Sequence, residues 1–195
     1  MVQQSASSHL LFVGPTGSGK TTIAKYITCT LFGTDDVRVY DPDDDTHTWG
    51  YFPVCGQDDD WTEIAGSMQG DLAEFSKRSR LRIARKPLDT YCIRIIDEMP
   101  DTKGHVDGAD EWFETLLRRG RKRKMFIIGL CTDKSVESLK IQGKSKLLNN
   151  FTAVYLGAEA HDAMGHLSNN DEKQYYRHLL SQCDRPAMVK HEGRW

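Results

Sequence analysis

The sequence predicts a single α/β domain over residues 1–195, a three-layer α/β/α sandwich with a mostly parallel central sheet. Three observations predict it. Apolar runs and helix-period segments follow one another in the order β-α-β-α-β-α-β-β-α-β, a glycine-rich turn joins the first strand to the first helix, and no repeat or low-complexity linker divides the 195 residues, which is about the size of one compact domain.

Each element has its own signal. Leu10 to Val13 is a short apolar run, and Thr21 to Leu31 places Ile23, Ile27 and Leu31 at helical steps of four before Gly33 ends the segment. Val37 to Tyr40 alternates as a strand and breaks at Asp41-Pro42. Residues 41–62 read as an acidic loop, with aspartates at 43–45 and 58–60 around Trp49, Tyr51 and Phe52. From Ile64, the series Ile64, Met68, Leu72 and Phe75 marks one helix face, and the segment turns basic through Lys77 to Lys86. Tyr91 to Ile96 is an apolar strand running into Asp97-Glu98, and residues 99–108 read as a loop. Ala109 to Arg119 is a helix with Trp112, Phe113, Leu116 and Leu117 inward and Gly120 as its stop. Met125 to Cys131 is a core strand, Val136 to Ile141 a short helix or turn, and Ala153 to Leu156 a further strand. Asn170 suits the cap of a helix over Asp171 to Gln182 that turns Tyr175, Tyr176, Leu179 and Leu180 inward. Ala187 to Val189 is the last strand.

Composition narrows the class. No apolar run approaches the ~20 residues of a bilayer helix, and MVQQSASSHL lacks the basic and apolar regions of a secretory leader, which points to the cytoplasm. The five cysteines are scattered, odd in number and without a C-x-x-C pair, so they suit core positions in a reducing compartment. A formal net charge of -2 argues against a protein that coats nucleic acid, yet the charge is segregated. Acidic residues concentrate at 35–60 and basic ones at 77–86 and 118–124.

The chemistry begins at Gly14-Pro15-Thr16-Gly17-Ser18-Gly19-Lys20-Thr21, which satisfies G-x-x-x-x-G-K-[ST] between a strand and a helix. The glycines let backbone N–H groups curl around the phosphates of ATP, Lys20 reaches the β- and γ-phosphates, and the Thr21 hydroxyl is suited to ligate Mg²⁺. Thr22 completes the set at the start of the helix. This motif makes the predicted fold a RecA/ASCE-like P-loop NTPase. Asp97 and Glu98 end an apolar strand, where ligands of open α/β sheets bind. Asp97 would hold Mg²⁺ and Glu98 would polarise the attacking water. ATPases with an extra strand between the phosphate loop and this acidic pair carry such a Glu, and the strand ending at Asp41-Pro42 is a candidate neighbour.

The segments GPTGSGKTTIAKYI, VRVYDPDDD, IRIIDEMP and LLRRGRKRKMFIIGLCTDKSVESLKIQG together resemble the FtsK/HerA superfamily of P-loop ATPases, motor domains that pump DNA. The resemblance covers residues 10–157. It implies ATP hydrolysis with Mg²⁺, a homo-oligomeric ring, hexameric in form, and double-stranded DNA as partner. The family places a Gln at the end of the sensor strand, where this chain has Thr132, or Cys131 in the alternative register. A threonine hydroxyl reaches less far than a glutamine amide.

In ring ATPases a site such as Arg118 to Lys124 presents an arginine to a neighbour's γ-phosphate, which makes Arg119 and Arg121 candidates. The competing reading is a solvated helix end whose cations complement the helix dipole. Lys144 and Lys146 are candidate contacts to DNA phosphates. The aspartate triplets suit solvation better than metal binding. Two other functions fit: a P-loop small-molecule or nucleotide kinase with Arg78 to Arg85 as a lid, and a nucleotide-dependent binding switch of slow turnover. With the phosphate loop near Met1 and the end just past a strand, the chain also suits an excised domain.

Overall fold

A computed structural model describes residues 8–44, 47–132 and 145–191. Seven strands form one sheet: β1 (His9–Val13), β2 (Val37–Tyr40), β3 (Val54–Cys55), β4 (Cys92–Ile96), β5 (Met125–Cys131), β6 (Phe151–Leu156) and β7 (Ala187–Lys190). Their order is β3-β2-β4-β5-β1-β6-β7, and every pairing is parallel except that of β6 with β7. The helices are α1 (Lys20–Ile27), α2 (Trp61–Ile83), α3 (Met99–His105), α4 (Ala109–Arg119), α5 (Ala158–Ala163) and α6 (Asn170–Ser181).

The five residues of β1, of β4 and the seven of β5 are buried throughout, as strands covered on both faces must be. Their alternate side chains feed two cores. One holds Leu11, Val13, Ile96, Ile127 and Trp112 under α2 and α4. The other holds Leu10, Phe12, Ile93, Ile95 and Ile128 with Ala24 and Phe32 of the first helical segment. This is the predicted three-layer sandwich.

The differences from the sequence reading are local. α1 stops at Ile27 and continues as a π-helical turn, Thr28–Phe32, where the Thr28 hydroxyl donates to the Ala24 carbonyl at 2.7 Å, a back-bond that competes with the regular ladder. The acidic loop contains β3, and its Trp49 and Phe52 are buried core residues. The segment expected as a loop after β4 contains α3, started by Pro100 in its first turn. α2 begins at Trp61, capped by Asp60, whose side chain accepts the Glu63 N–H at 2.9 Å. The cap of α6 is Asn169, not Asn170, and of its expected inner face only Leu180 is buried. Tyr175 is 61% exposed and Leu179 38%, because this helix lies at the end of the sheet and has core on one narrow strip alone. The short helix or turn expected at 136–141 lies outside the described residues.

Candidate nucleotide site

The phosphate loop leaves β1 at Gly14 and enters α1 at Lys20. A Cβ on Gly14 would stand 2.7 Å from Ser18 Oγ and 2.9 Å from the Leu156 carbonyl, so only glycine fits there. Gly17 and Gly19 have φ of 79° and 93°, left-handed values that glycine adopts without strain. α1 carries no side-chain cap and no acidic residue in its first turn, which leaves its N-terminal amides for an anion. Lys20 is folded back over the loop, its Nζ donating to the carbonyls of Gly14 at 2.8 Å and Pro15 at 3.4 Å. The loop therefore has the backbone cradle and the cation that a triphosphate needs. Thr21 and Thr22 follow at the first turn of the helix.

The acidic pair stands beside it. The Asp97 N–H donates to the Tyr40 carbonyl at 3.0 Å, which places Asp97 at the end of the β2–β4 ladder. Burial, then the carboxylates of Asp41 and Glu98, push the Asp97 carboxyl up to about 7, and Lys20 partly offsets them. Asp41, raised by burial, is hydrogen-bonded to Asp97 and is itself held by the Trp49 indole N–H at 2.7 Å. Sequence reasoning missed Asp41 as a member of this site. The signal was its position at the C-terminal end of a strand, the same position as Asp97.

Glu98 is half-buried, with φ of 43°, an uncommon conformation for a side-chain-bearing residue and one that concentrates at functional sites. Burial raises its carboxyl, Lys20 opposes that, and the Thr132 N–H donates to it. The structure thus brings Thr132 to Glu98 through its main chain, whereas the sequence drew attention to its hydroxyl. The extra strand between the phosphate loop and the acidic pair is β5, with Thr132 just past its end; β2, with Asp41 just past its end, pairs with β4 on the far side.

The remaining candidates lie elsewhere. β5 runs parallel to β1, with Leu10 opposite Ile128 and Val13 opposite Cys131. Arg119 and Arg121 precede β5, so they stand at the opposite edge of the sheet from the phosphate loop, roughly 20 Å away at ~3.3 Å per strand residue. Lys146 precedes β6 and lies at that same edge, since Phe151 pairs with His9. Lys144 lies outside the described residues. The end of α2 joins them: the Arg123 guanidinium stacks on Phe75 at 4.3 Å and that of Arg119 at 5.3 Å. Burial and the cations of Arg119 and Arg82 lower the Arg123 pKa. Two basic runs far apart in sequence form one basic edge. Arg78 is 5% exposed and paired with Glu74 and Asp36, so the α2 arginines form no lid over the phosphate loop. Among the described residues no cluster of three metal-ligating side chains occurs; Asp44 is buried and Asp60 caps α2, so these aspartates serve the fold. A Mg²⁺ bound with nucleotide needs few protein ligands, and the Thr21 hydroxyl with the Asp97 carboxylate suits it.

A glycine cradle, an inward lysine and a paired Asp-Glu at the strand ends fit the P-loop NTPase fold. No protein-family model and no curated sequence matches the chain. Solved structures do. The pCW3 conjugation coupling protein TcpA, in its monomer form with ATPγS, is 19% identical with a TM-score of 0.65, over 86% of this chain and 54% of that one. The cytoplasmic domain of the Thermomonospora curvata type VII secretion ATPase EccC is 17% identical with a TM-score of 0.59, over 76% and 20%. ATPases 2 and 3 of EssC from Geobacillus thermodenitrificans are 14% identical with a TM-score of 0.60, over 84% and 35%. These structures are of the FtsK/HerA superfamily, and theirs is the fold this chain has. The chain spans about half or less of the length of each. No helix among the described residues is long and apolar enough to cross a membrane.

Proposed function

We propose that the chain is an ATP-hydrolysing motor domain of the FtsK/HerA type that acts on double-stranded DNA as a ring, hexameric in form. The observation that carries the hydrolytic part is the placement of Lys20, Asp97 and Glu98 at one edge of the sheet. Glu98 is the general base for the lytic water: burial raises its carboxyl, which strengthens it as a proton acceptor. Release of its contact with the Thr132 N–H frees the carboxylate to take that role. Lys20 leaves the Gly14 and Pro15 carbonyls for the β- and γ-phosphates, and the loop amides hold the rest of the chain of phosphates. Thr21 and Asp97 would hold a Mg²⁺, which when bound would supply neutralisation of the phosphate charge.

The DNA part rests on the basic edge, whose exposed Arg80, Arg82, Arg85, Lys86, Arg119 and Lys122 offer phosphate contacts without needing sequence recognition. Lys146 adds to that edge, and Lys144 belongs to the same reading. Arg119 or Arg121, remote from the nucleotide of their own chain, serve as arginine fingers across a subunit boundary. The test is ATP hydrolysis with and without duplex DNA, with mass determination in ATP. DNA stimulates turnover and ATP drives assembly; Lys20→Ala abolishes both, and Glu98→Gln abolishes hydrolysis with nucleotide still bound. Phosphoryl transfer to an added acceptor with little hydrolysis would make the chain a kinase. ATP binding and self-association without sustained turnover would make it a switch, a reading that the occupied Glu98 carboxylate favours.

A further inference from the structure

The connection from α6 to β7 holds Arg185, an exposed residue with no counterpart in the motifs of the nucleotide site. Its Nη1 stands 3.8 Å from the point that a Cβ on Gly19 would occupy, and apart from the adjoining Ser18 and Lys20 no other described side chain comes within 4 Å of that point. The approach is braced through the backbone. The Gly157 N–H donates to the Pro186 carbonyl at 2.9 Å, and a Cβ on Gly157 would lie 3.7 Å from Ser18 and 3.8 Å from Pro15. Pro186 thus ties the segment to the end of β6, and the end of β6 lies against the phosphate loop. No ion pair among the described residues includes Arg185, although Asp41, Asp97 and Glu98 occupy the same edge of the sheet.

An unpaired guanidinium beside a phosphate-loop glycine is placed for phosphate oxygens. Backbone amides of such a loop cradle the α- and β-phosphates while its lysine serves the β and γ, so a cation at Gly19 meets the inner part of the chain. We propose that Arg185 is a nucleotide-binding residue that grips the α- and β-phosphates from the β6–β7 side of the sheet, complementing Lys20. Its planar fork suits two oxygens at once, which a lysine cannot reproduce. The proposal rests on the reading of this edge as a nucleoside triphosphate site. Because ATP and ADP share the phosphates concerned, Arg185 contributes equally to the binding of both.

The experiment titrates the chain with fluorescent ATP and ADP analogues. Arg185→Ala and Arg185→Gln each weaken both nucleotides by about tenfold or more, the loss of one charge-assisted contact, with equal factors for the two. Arg185→Lys recovers part of the loss. Thermal unfolding without nucleotide stays at the parent temperature, since the side chain is exposed. If the parent chain binds nucleotide and the Ala and Gln variants bind as well as it does, the assignment of Arg185 falls alone. If ATP weakens and ADP does not, the guanidinium serves the γ-phosphate and the proposal is overturned. A parent chain that binds neither nucleotide removes the site itself, and the proposal with it.

Discussion

Two carboxylates, Asp71 on the buried face of α2 and Asp97 at the end of β4, are treated in opposite ways by their surroundings. Asp71 is 1% exposed and is fully provided for: Arg94 Nε donates at 2.6 Å, the Tyr40 hydroxyl at 2.5 Å and the Trp112 indole N–H at 3.1 Å. The same Arg94 also pairs with Asp36 at 2.9 Å, and Arg78 joins that aspartate at 3.5 Å. Asp97 is set against Asp41 and Glu98, carboxyls of like charge, and the Lys20 cation opposes them. A neutralised carboxylate fastens a helix to a sheet. One left in repulsion stores a demand for cations, which bound metal and the loop lysine can meet.

The largest effect expected from breaking this contrast comes from Asp71→Ala. It leaves the Arg94 guanidinium, 3% exposed, without its closest partner and orphans two further donors. Removing one member of a buried ion pair costs about 3–5 kcal/mol, and chemical denaturation should report it along with a fall in Tm on the order of 10 °C. A loss below about 1 kcal/mol would mean that Asp36 takes over the pairing and that the network is redundant.

Asp97→Asn should act with the opposite sign. The folded-state carboxyl titrates at about 7 against an ordinary 3.8, so the folded chain retains a proton that the unfolded chain releases between those values. Stability without nucleotide is therefore greatest below the lower value and declines as pH rises through the upper one. The substitution removes that decline and stabilises the chain by about 1–3 kcal/mol near pH 8, with no gain near pH 4. Denaturation midpoints across this range check it, and a variant less stable than the parent near pH 8 would show that Asp97 is satisfied after all. Activity is lost in either case, since Asp97 is the proposed metal ligand.

The smallest effect is reserved for Thr132→Ala. The contact to Glu98 comes from the Thr132 main chain, which alanine keeps. Turnover should change by less than about threefold, well under the 10²–10⁴-fold that a positioned acid or base supplies. A loss of tenfold or more in steady-state hydrolysis would place the hydroxyl on the nucleotide or the lytic water, in the role of the absent glutamine.

How much was legible in the sequence varies along the chain. β1, the phosphate loop, β4 and the Asp97-Glu98 pair were readable because each is a contiguous signal: an apolar run, a run of glycines, two acids at a strand end. α4 was readable to the residue, Ala109–Arg119, since its apolar face and terminal Gly120 coincide. α3 was not, because seven residues containing Pro100 and Gly104 carry no helical period. β3 has two residues and is held by the β2 edge rather than by its own pattern. The exposed face of α6 was misread because periodicity tells which residues share a side and not how much core waits beneath it.

The sequence by itself determined the fold class and the chemistry of the phosphate loop, for both depend on neighbours within a few residues, where spacing and conformational preference are enough. The tertiary structure alone decided which strand separates β1 from β4, that Asp41 joins Asp97, that Arg119 and Lys146 stand at the edge opposite the phosphate loop, and that Arg185 reaches Gly19. Each of these depends on the order of strands in the sheet. Strand order follows from how apolar faces are covered across the whole domain, and parallel connections carry residues distant in sequence to the same edge.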